Sequence, residues 1–211
     1  MSEIKKISPE EIEPESFRII AEELGPTSFD SRTFKVVQRV IHATGDFSFA
    51  ETMRFHPRAL DAGIEAVRNG QDILVDVAMG ASGISTGLLN RWGGEVLCRV
   101  SDPAVRDLAA EKGQTRSESA MELGLTENTG IVVVGNAPTA LLKIMDMIPA
   151  LGSEQRPRLI VGVPVGFVNA AEAKELLLQK DYPYITCTGR KGGSGVAAAI
   201  VNALIRLAGE E

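Results

Sequence analysis

Apolar residues recur at helical spacing over residues 9–23, 31–43 and 57–69, with Pro57 suited to a first helical turn and Gly70 to a stop. The opening third is therefore expected to be mostly helical. Beyond it the period changes, and short runs rich in Val and Ile predict strands at Ile73–Ala78, Glu95–Val100, Ile131–Val134, Leu159–Val163 and Tyr184–Thr188. Helical patterns cover Ser82–Asn90, Asp102–Lys112, Thr115–Leu123, Pro138–Ile148, Ala170–Gln179 and Gly193–Leu207, with Asp102-Pro103 and Asn136-Ala137-Pro138 supplying helix starts. Strands that alternate with helices imply a parallel sheet. Right-handed crossovers fold such a chain into a doubly wound three-layer α/β/α sandwich. No internal repeat interrupts it, and Leu151–Pro157 reads as a surface loop, so residues 1–211 are expected to form one domain.

In a sheet of this kind ligands collect beyond the carboxyl ends of the strands. The segments there are rich in small residues: Met79-Gly80-Ala81-Ser82-Gly83, Gly135-Asn136-Ala137-Pro138-Thr139, Pro164-Val165-Gly166-Phe167 and Gly189-Arg190-Lys191-Gly192-Gly193-Ser194. Any α/β sandwich needs Gly and Asn for its turns; four such segments together favour a site with room for a bulky ligand. Neither a P-loop nor GxGxxG spacing is present. Glycines that open a helix expose unpaired N–H groups, and Arg190 with Lys191 adds positive charge, so the last segment reads either as an anion-binding corner or as a surface turn with two solvated cations.

Composition narrows the chemistry further. The chain of 211 residues is 44% hydrophobic and 24% charged, with 28 acids against 22 bases and a net charge of −6. That excludes a disordered polymer and disfavours general attraction to nucleic acid or to an anionic membrane. Without an apolar run of roughly 18 residues or a signal-peptide core, the expected compartment is the cytoplasm. Cys98 and Cys187 make no metal or redox spacing and are expected as buried thiols on strands. His42 and His56 are too few to build a metal site, and no serine sits in a nucleophile elbow. His42 ends a helix whose stop is Thr44-Gly45. A last-turn histidine faces the negative end of the helix dipole, which suits a proton donor near neutral pH, although a capping role fits the same position. His56, before Pro57, reads as a turn residue. Residue chemistry alone leaves a nucleotide or acyl-CoA binder open.

Four motifs resemble a known family. Arg39-Val-Ile-His42-Ala-Thr-Gly45, Gly135-Asn-Ala-Pro-Thr-Ala-Leu141, Gly162-Val-Pro-Val-Gly-Phe-Val168 and Gly189-Arg-Lys-Gly-Gly-Ser194, followed by Asn202-Ala-Leu204, are similar in kind and order to precorrin-8X methylmutases of the corrin pathway, and the likeness begins at Ile12-Glu-Pro-Glu-Ser-Phe17. The resemblance implies a flavodoxin-like fold of five parallel strands in order 2-1-3-4-5 with extra N-terminal helices. It implies a homodimer that needs no cofactor or metal and acts on a corrinoid, precorrin-8X or cobalt-precorrin-8. The implied reaction moves a methyl group from C11 to C12 by a 1,5-sigmatropic shift, giving hydrogenobyrinate or cobyrinate. His42 matches the family's catalytic histidine and would be the general acid. Ser16, Ser85 and Arg116 stand at positions similar to polar residues around the bound macrocycle, and Arg39, Asn136, Gly192, Gly193 and Ser194 fall in the matching motifs as substrate-binding candidates. Arg116, Arg190 and Lys191 could pair with the acetate and propionate groups of the rim, and helix-start N–H groups after Gly135 and Gly192 could receive others. Met79, Val165 and Phe167 could pack on the macrocycle's apolar faces or belong to the core. A non-catalytic corrinoid carrier would share such a pocket but tolerate loss of His42.

Overall fold

The computed structural model describes residues 7–210. In chain order the elements are α1 (Pro9–Leu24), α2 (Ser31–Thr44), α3 (Phe49–Thr52), β1 (Met53–Phe55), α4 (Ala59–Arg68), β2 (Asp72–Val75), α5 (Ala78–Ser82), α6 (Thr86–Leu89), β3 (Val96–Leu97), α7 (Pro103–Lys112), α8 (Arg116–Gly124), β4 (Thr129–Val134), α9 (Pro138–Met147), β5 (Leu159–Gly162), α10 (Ala170–Leu177), β6 (Tyr184–Cys187) and α11 (Ser194–Ala208). The sheet order is β1-β6-β5-β4-β2-β3, with every pairing parallel except that of β1 with β6.

The five expected strands are present, and as β3-β2-β4-β5-β6 they lie in the expected 2-1-3-4-5 order. The expected strand count is too low by one. Met53-Arg54-Phe55 pairs antiparallel with Ile185–Cys187 and covers the outer edge of β6. Three residues between two helices carry too little period-2 pattern to be seen as a strand.

Strand side chains alternate between two cores. Ile73, Val75, Ile131, Val133, Leu159, Val161 and Ile185 face the layer of α1, α2, α4 and α11. Leu74, Val132, Val134 and Ile160 face α8, α9 and α10. α11 is apolar nearly all round because it packs on the sheet while α2 and α4 pack on it.

Other boundaries move for local reasons. β3 pairs only with Ile73 and Leu74, so the expected strand Glu95–Val100 shortens to Val96–Leu97. Cys98 then lies beyond the strand and is half-buried, whereas Cys187 is a buried thiol on β6 as expected. β2 stops at Val75, and residues 78–82 form a short helix in place of the loop expected after it. The single helix expected over Ser82–Asn90 is broken at Gly83–Ser85. Asn202 of α11 occupies the break: its Nδ2 donates to the Gly83 carbonyl at 2.9 Å, and its Oδ1 accepts from the Ser85 N–H at 2.8 Å. Leu151–Pro157 contains a 3-10 turn at Ser153–Gln155.

Candidate active site

The segments at the carboxyl ends of the parallel strands converge on the first turn of α11. A Cβ added to Gly135 would lie 2.9 Å from the Ser194 Cα, and one on Gly80 would lie 2.9 Å from Val75 Cγ1 and 3.9 Å from the Ser194 Cβ. Glycine at both places is what lets the chains after β2 and β4 approach α11. Gly192 (φ 152°) and Gly193 (φ 118°) turn the chain from β6 into α11, and a Cβ at Gly192 would meet the Val163 carbonyl oxygen at 2.2 Å. α11 begins without a side-chain cap, so its first N–H groups point toward this mouth. Met79, Val165, Phe167 and Val168 are all exposed around it and are not core residues. The Arg190 guanidinium stacks on Phe167, 5.4 Å from the ring centroid.

Two ion pairs show that the last turn of α2, which carries His42, lies at the same end. Lys35 at the start of α2 pairs with Glu210 beyond α11, while Lys191 before α11 pairs with Asp46 beyond α2 at 2.6 Å. The two helices therefore run antiparallel, and the last turn of α2 lies beside the first turn of α11. Asp30 caps α2, accepting from the N–H groups of Arg32 and Thr33. At the other end, Gly45 adopts a left-handed conformation and donates to the Ile41 carbonyl. His42 is exposed, its ring edge-on to Phe17 at 5.4 Å. Lys191 also reaches the Ser48 hydroxyl at 2.9 Å, and this lysine with Ser48 holds the Asp46 carboxyl down at about 2.

Arg39 donates to Glu13 at 2.8 Å and lies 5.0 Å from the centre of the Phe17 ring. This hydrogen bond lowers the Glu13 pKa against the opposing effect of burial, with Arg206 and His42 adding to it. Ser16 donates back to the Ile12 carbonyl at 2.7 Å, within its own helix. Arg39, Glu13, Phe17, Leu88, Trp92 and Arg206 line a groove of about 470 Å³, to which none of the glycine-rich segments contributes. Ser16 and Arg39 thus sit on the α1–α2 side with partners of their own. Ser85 is tied to α11 through Asn202, two turns below the mouth.

On the far side of the mouth the hydroxyls of Thr115 and Thr139 lie 3.1 Å apart and join the start of α8 to the start of α9. This puts Arg116, exposed at the first position of α8, beside exposed Asn136. The expectation that N–H groups after Gly135 receive a ligand carboxylate is corrected by the structure. Asp76, fully buried just past β2, takes them itself: Oδ1 accepts from Gly135 at 3.2 Å, and Oδ2 from Asn136 and Ala137 at 2.8 Å each. Burial pushes the Asp76 carboxyl up, against the downward pull of these bonds. β2 and β4 flank the point where strand order reverses, so a protein carboxylate fills the cradle where a ligand is expected in this fold. The Gly193 N–H is likewise spent, on the Val163 carbonyl at 2.8 Å. What the mouth still offers an anion is Arg116, Arg190 and the first turn of α11. Among the described residues there is no cluster of three or more His, Cys, Asp or Glu able to hold a metal ion, and no helix long and apolar enough to cross a membrane.

A sequence model of the precorrin-8X methylmutases matches residues 11–207, which include every motif around this mouth. The chain belongs to the precorrin-8X methylmutase family. It is 43% identical over 203 residues to a cobalt-precorrin-8 methylmutase of Priestia megaterium, covering 96% of this chain and 89% of that one. It is 44% identical over 205 residues to the cobalt-precorrin-8 methylmutase of Leptospira interrogans, covering 93% and 92%. The crystal structure of the precorrin-8X methylmutase from Thermus thermophilus superposes with a TM-score of 0.85 at 42% identity, covering 95% of this chain and 98% of that one. Membership makes the protein an isomerase of cobalamin biosynthesis with a corrinoid substrate.

Proposed function

We propose that the protein moves the methyl group of precorrin-8X or cobalt-precorrin-8 from C11 to C12, a 1,5-sigmatropic shift that gives hydrogenobyrinate or cobyrinate, with His42 as the general acid. The observation that supports this reading is that His42 is exposed, with its ring on Phe17, in the last turn of the helix that the Lys191–Asp46 pair joins to the glycine-rich segment before α11. The protein's tasks are to hold the macrocycle in the reactive geometry and to protonate it as the conjugation rearranges. Exposed Met79, Val165 and Phe167 supply apolar surface for the ring faces, and Arg116 and Arg190 supply charge for the rim carboxylates. One copy leaves this mouth open on the side of Phe167 and Val168, which supports a homodimer that closes the site.

Incubating the purified protein with substrate carrying a ¹³C label in the C11 methyl group tests the reaction. The labelled methyl resonance should move to the shift of a methyl group on C12, with the visible spectrum of the product appearing at the same rate. Unchanged label after many equivalents of enzyme time, with substrate bound, would identify a corrinoid carrier instead. Running metal-free and cobalt-containing substrates side by side assigns the natural one.

A further inference from the structure

The Gly189–Ser194 segment is held from beneath by a lysine. Lys174 lies on α10 and is fully buried, although Ala-Ala-Glu-Ala-Lys174 would ordinarily place a lysine in water. Its Nζ donates to the Lys191 carbonyl at 2.6 Å and lies 3.7 Å from Cys187 Sγ. The Cys187 thiol donates to the same carbonyl at 3.2 Å. No carboxylate among the described residues pairs with Lys174. Burial pushes the Lys174 pKa down and that of Cys187 up.

Burying an amine is costly, and methionine or leucine would fill the same space without that cost. What an apolar side chain could not supply is a donor for the Lys191 carbonyl. That peptide is the last before the chain swings through Gly192 and Gly193, both at positive φ and with Gly192 tight against Val163, to open α11. The direction of the Lys191 carbonyl therefore sets the direction of the turn, and the turn aims the uncapped N–H groups of α11.

We propose that Lys174 is a positioning residue of the methylmutase site: by anchoring the Lys191 carbonyl it fixes the Gly192–Gly193 turn in the orientation that grips a rim carboxylate. This rests on the reading given under Proposed function. It is distinct from catalysis, since Lys174 is sealed from the mouth and acts only through the Lys191 peptide.

The test uses the full chain with Lys174→Met, which matches the lysine in length and lacks the donor. Three quantities are read: affinity for cobyrinic acid by visible titration, KM against kcat for methyl migration, and hydrogen exchange of the Gly193 amide. The thermal midpoint should stay the same or rise. Affinity should fall about tenfold, in line with a lost buried hydrogen bond, and KM should rise by a similar factor while kcat changes less than about twofold. Gly193 exchange should quicken with global stability intact. Lys174→Gln, one bond too short to reach the carbonyl, carries the same expectations for affinity, KM and Gly193 exchange, with a lower thermal midpoint because its amide is buried unpaired, and decides the matter if the Met variant does not fold. Wild-type affinity and wild-type Gly193 exchange in either folded variant overturn the proposal, as does failure of both to fold, which makes Lys174 a core residue. If the wild-type protein itself neither binds nor converts a corrinoid, the methylmutase reading fails, while Gly193 exchange still reports on the clamp.

Discussion

Replacing Asp76 with alanine strands three donors at once, two of them buried and the third, on Asn136, partly so. The N–H groups of Gly135, Asn136 and Ala137 all bond to this carboxylate, at 3.2, 2.8 and 2.8 Å, and the side chain has no exposed surface. An orphaned buried donor costs about 1–3 kcal/mol, and relief of the carboxylate's own desolvation offsets part of the sum, so Asp76→Ala should destabilise the protein by about 3–5 kcal/mol. For a chain of this length that is a fall in thermal midpoint of roughly 6–20 °C. Asp76→Asn keeps an oxygen for the two shorter bonds and turns its NH₂ toward Gly135, losing only the weakest bond, and should cost about 1–2 kcal/mol. Urea denaturation of the three proteins measures the order. The sign of the pH dependence gives a second check. A carboxyl raised above its ordinary value near 3.8 binds its proton more tightly in the folded state, so its contribution to stability falls as pH rises from that value through the raised one. Asp76→Asn should remove that downward slope. A loss below about 1 kcal/mol in Asp76→Ala would refute the clamp.

Further outcomes follow from the same geometry. Arg116 is exposed beside Asn136, so corrinoid affinity should fall in the order wild type, Arg116→Lys, Arg116→Ala, by about 1.5–3 kcal/mol for alanine if bound substrate shields the pair; equal affinities across low and moderate salt would make it a solvated surface residue. Gly135→Ala should destabilise the protein by about 1–3 kcal/mol in thermal denaturation, because the new Cβ meets the Ser194 backbone at 2.9 Å, where no flexible side chain can give way. The Asp46 carboxyl, held at about 2 by Lys191, contributes stability that is present above its ordinary value near 3.8 and is lost as pH falls toward 2. An acid titration of Lys191→Met should therefore show a shallower loss over that window than wild type.

Most of the parallel strands were legible because they are compact Val/Ile runs bounded by turn residues, a signal carried within a few positions, whereas their order came only from the family resemblance. The mouth was legible in part for the same reason: Gly192 and Gly193 answer to a local turn at positive φ and His42 announces itself at a helix end, whereas the reason for Gly135, the approach of Ser194, is distant in the chain. What stayed hidden depends on partners far along the chain. Asp76 lies inside the expected strand Ile73–Ala78 with nothing to mark it until Gly135–Ala137 fold over it some sixty residues later. The break between α5 and α6 is written in Asn202, and the cost of burying Lys174 makes sense only beside the Lys191 carbonyl. β1 was missed because three residues are too few to show a period, and its identity comes from the exposed edge of β6. Ser16 and Arg39 were placed by resemblance; the partner of Ser16 is the Ile12 carbonyl one turn back in α1, while that of Arg39, Glu13, became visible only with α1 packed on α2.

The most direct test of His42 as the proton donor is single-turnover methyl migration by His42→Ala, with enzyme in excess so that substrate binding and product release do not limit the rate. His42 is exposed and buries little surface, so the variant should fold and bind the macrocycle as wild type does. The migration rate should drop by roughly 10²- to 10⁴-fold, the usual contribution of general acid–base catalysis. A single-turnover rate close to wild type, with the labelled methyl still moving from C11 to C12, would contradict the assignment.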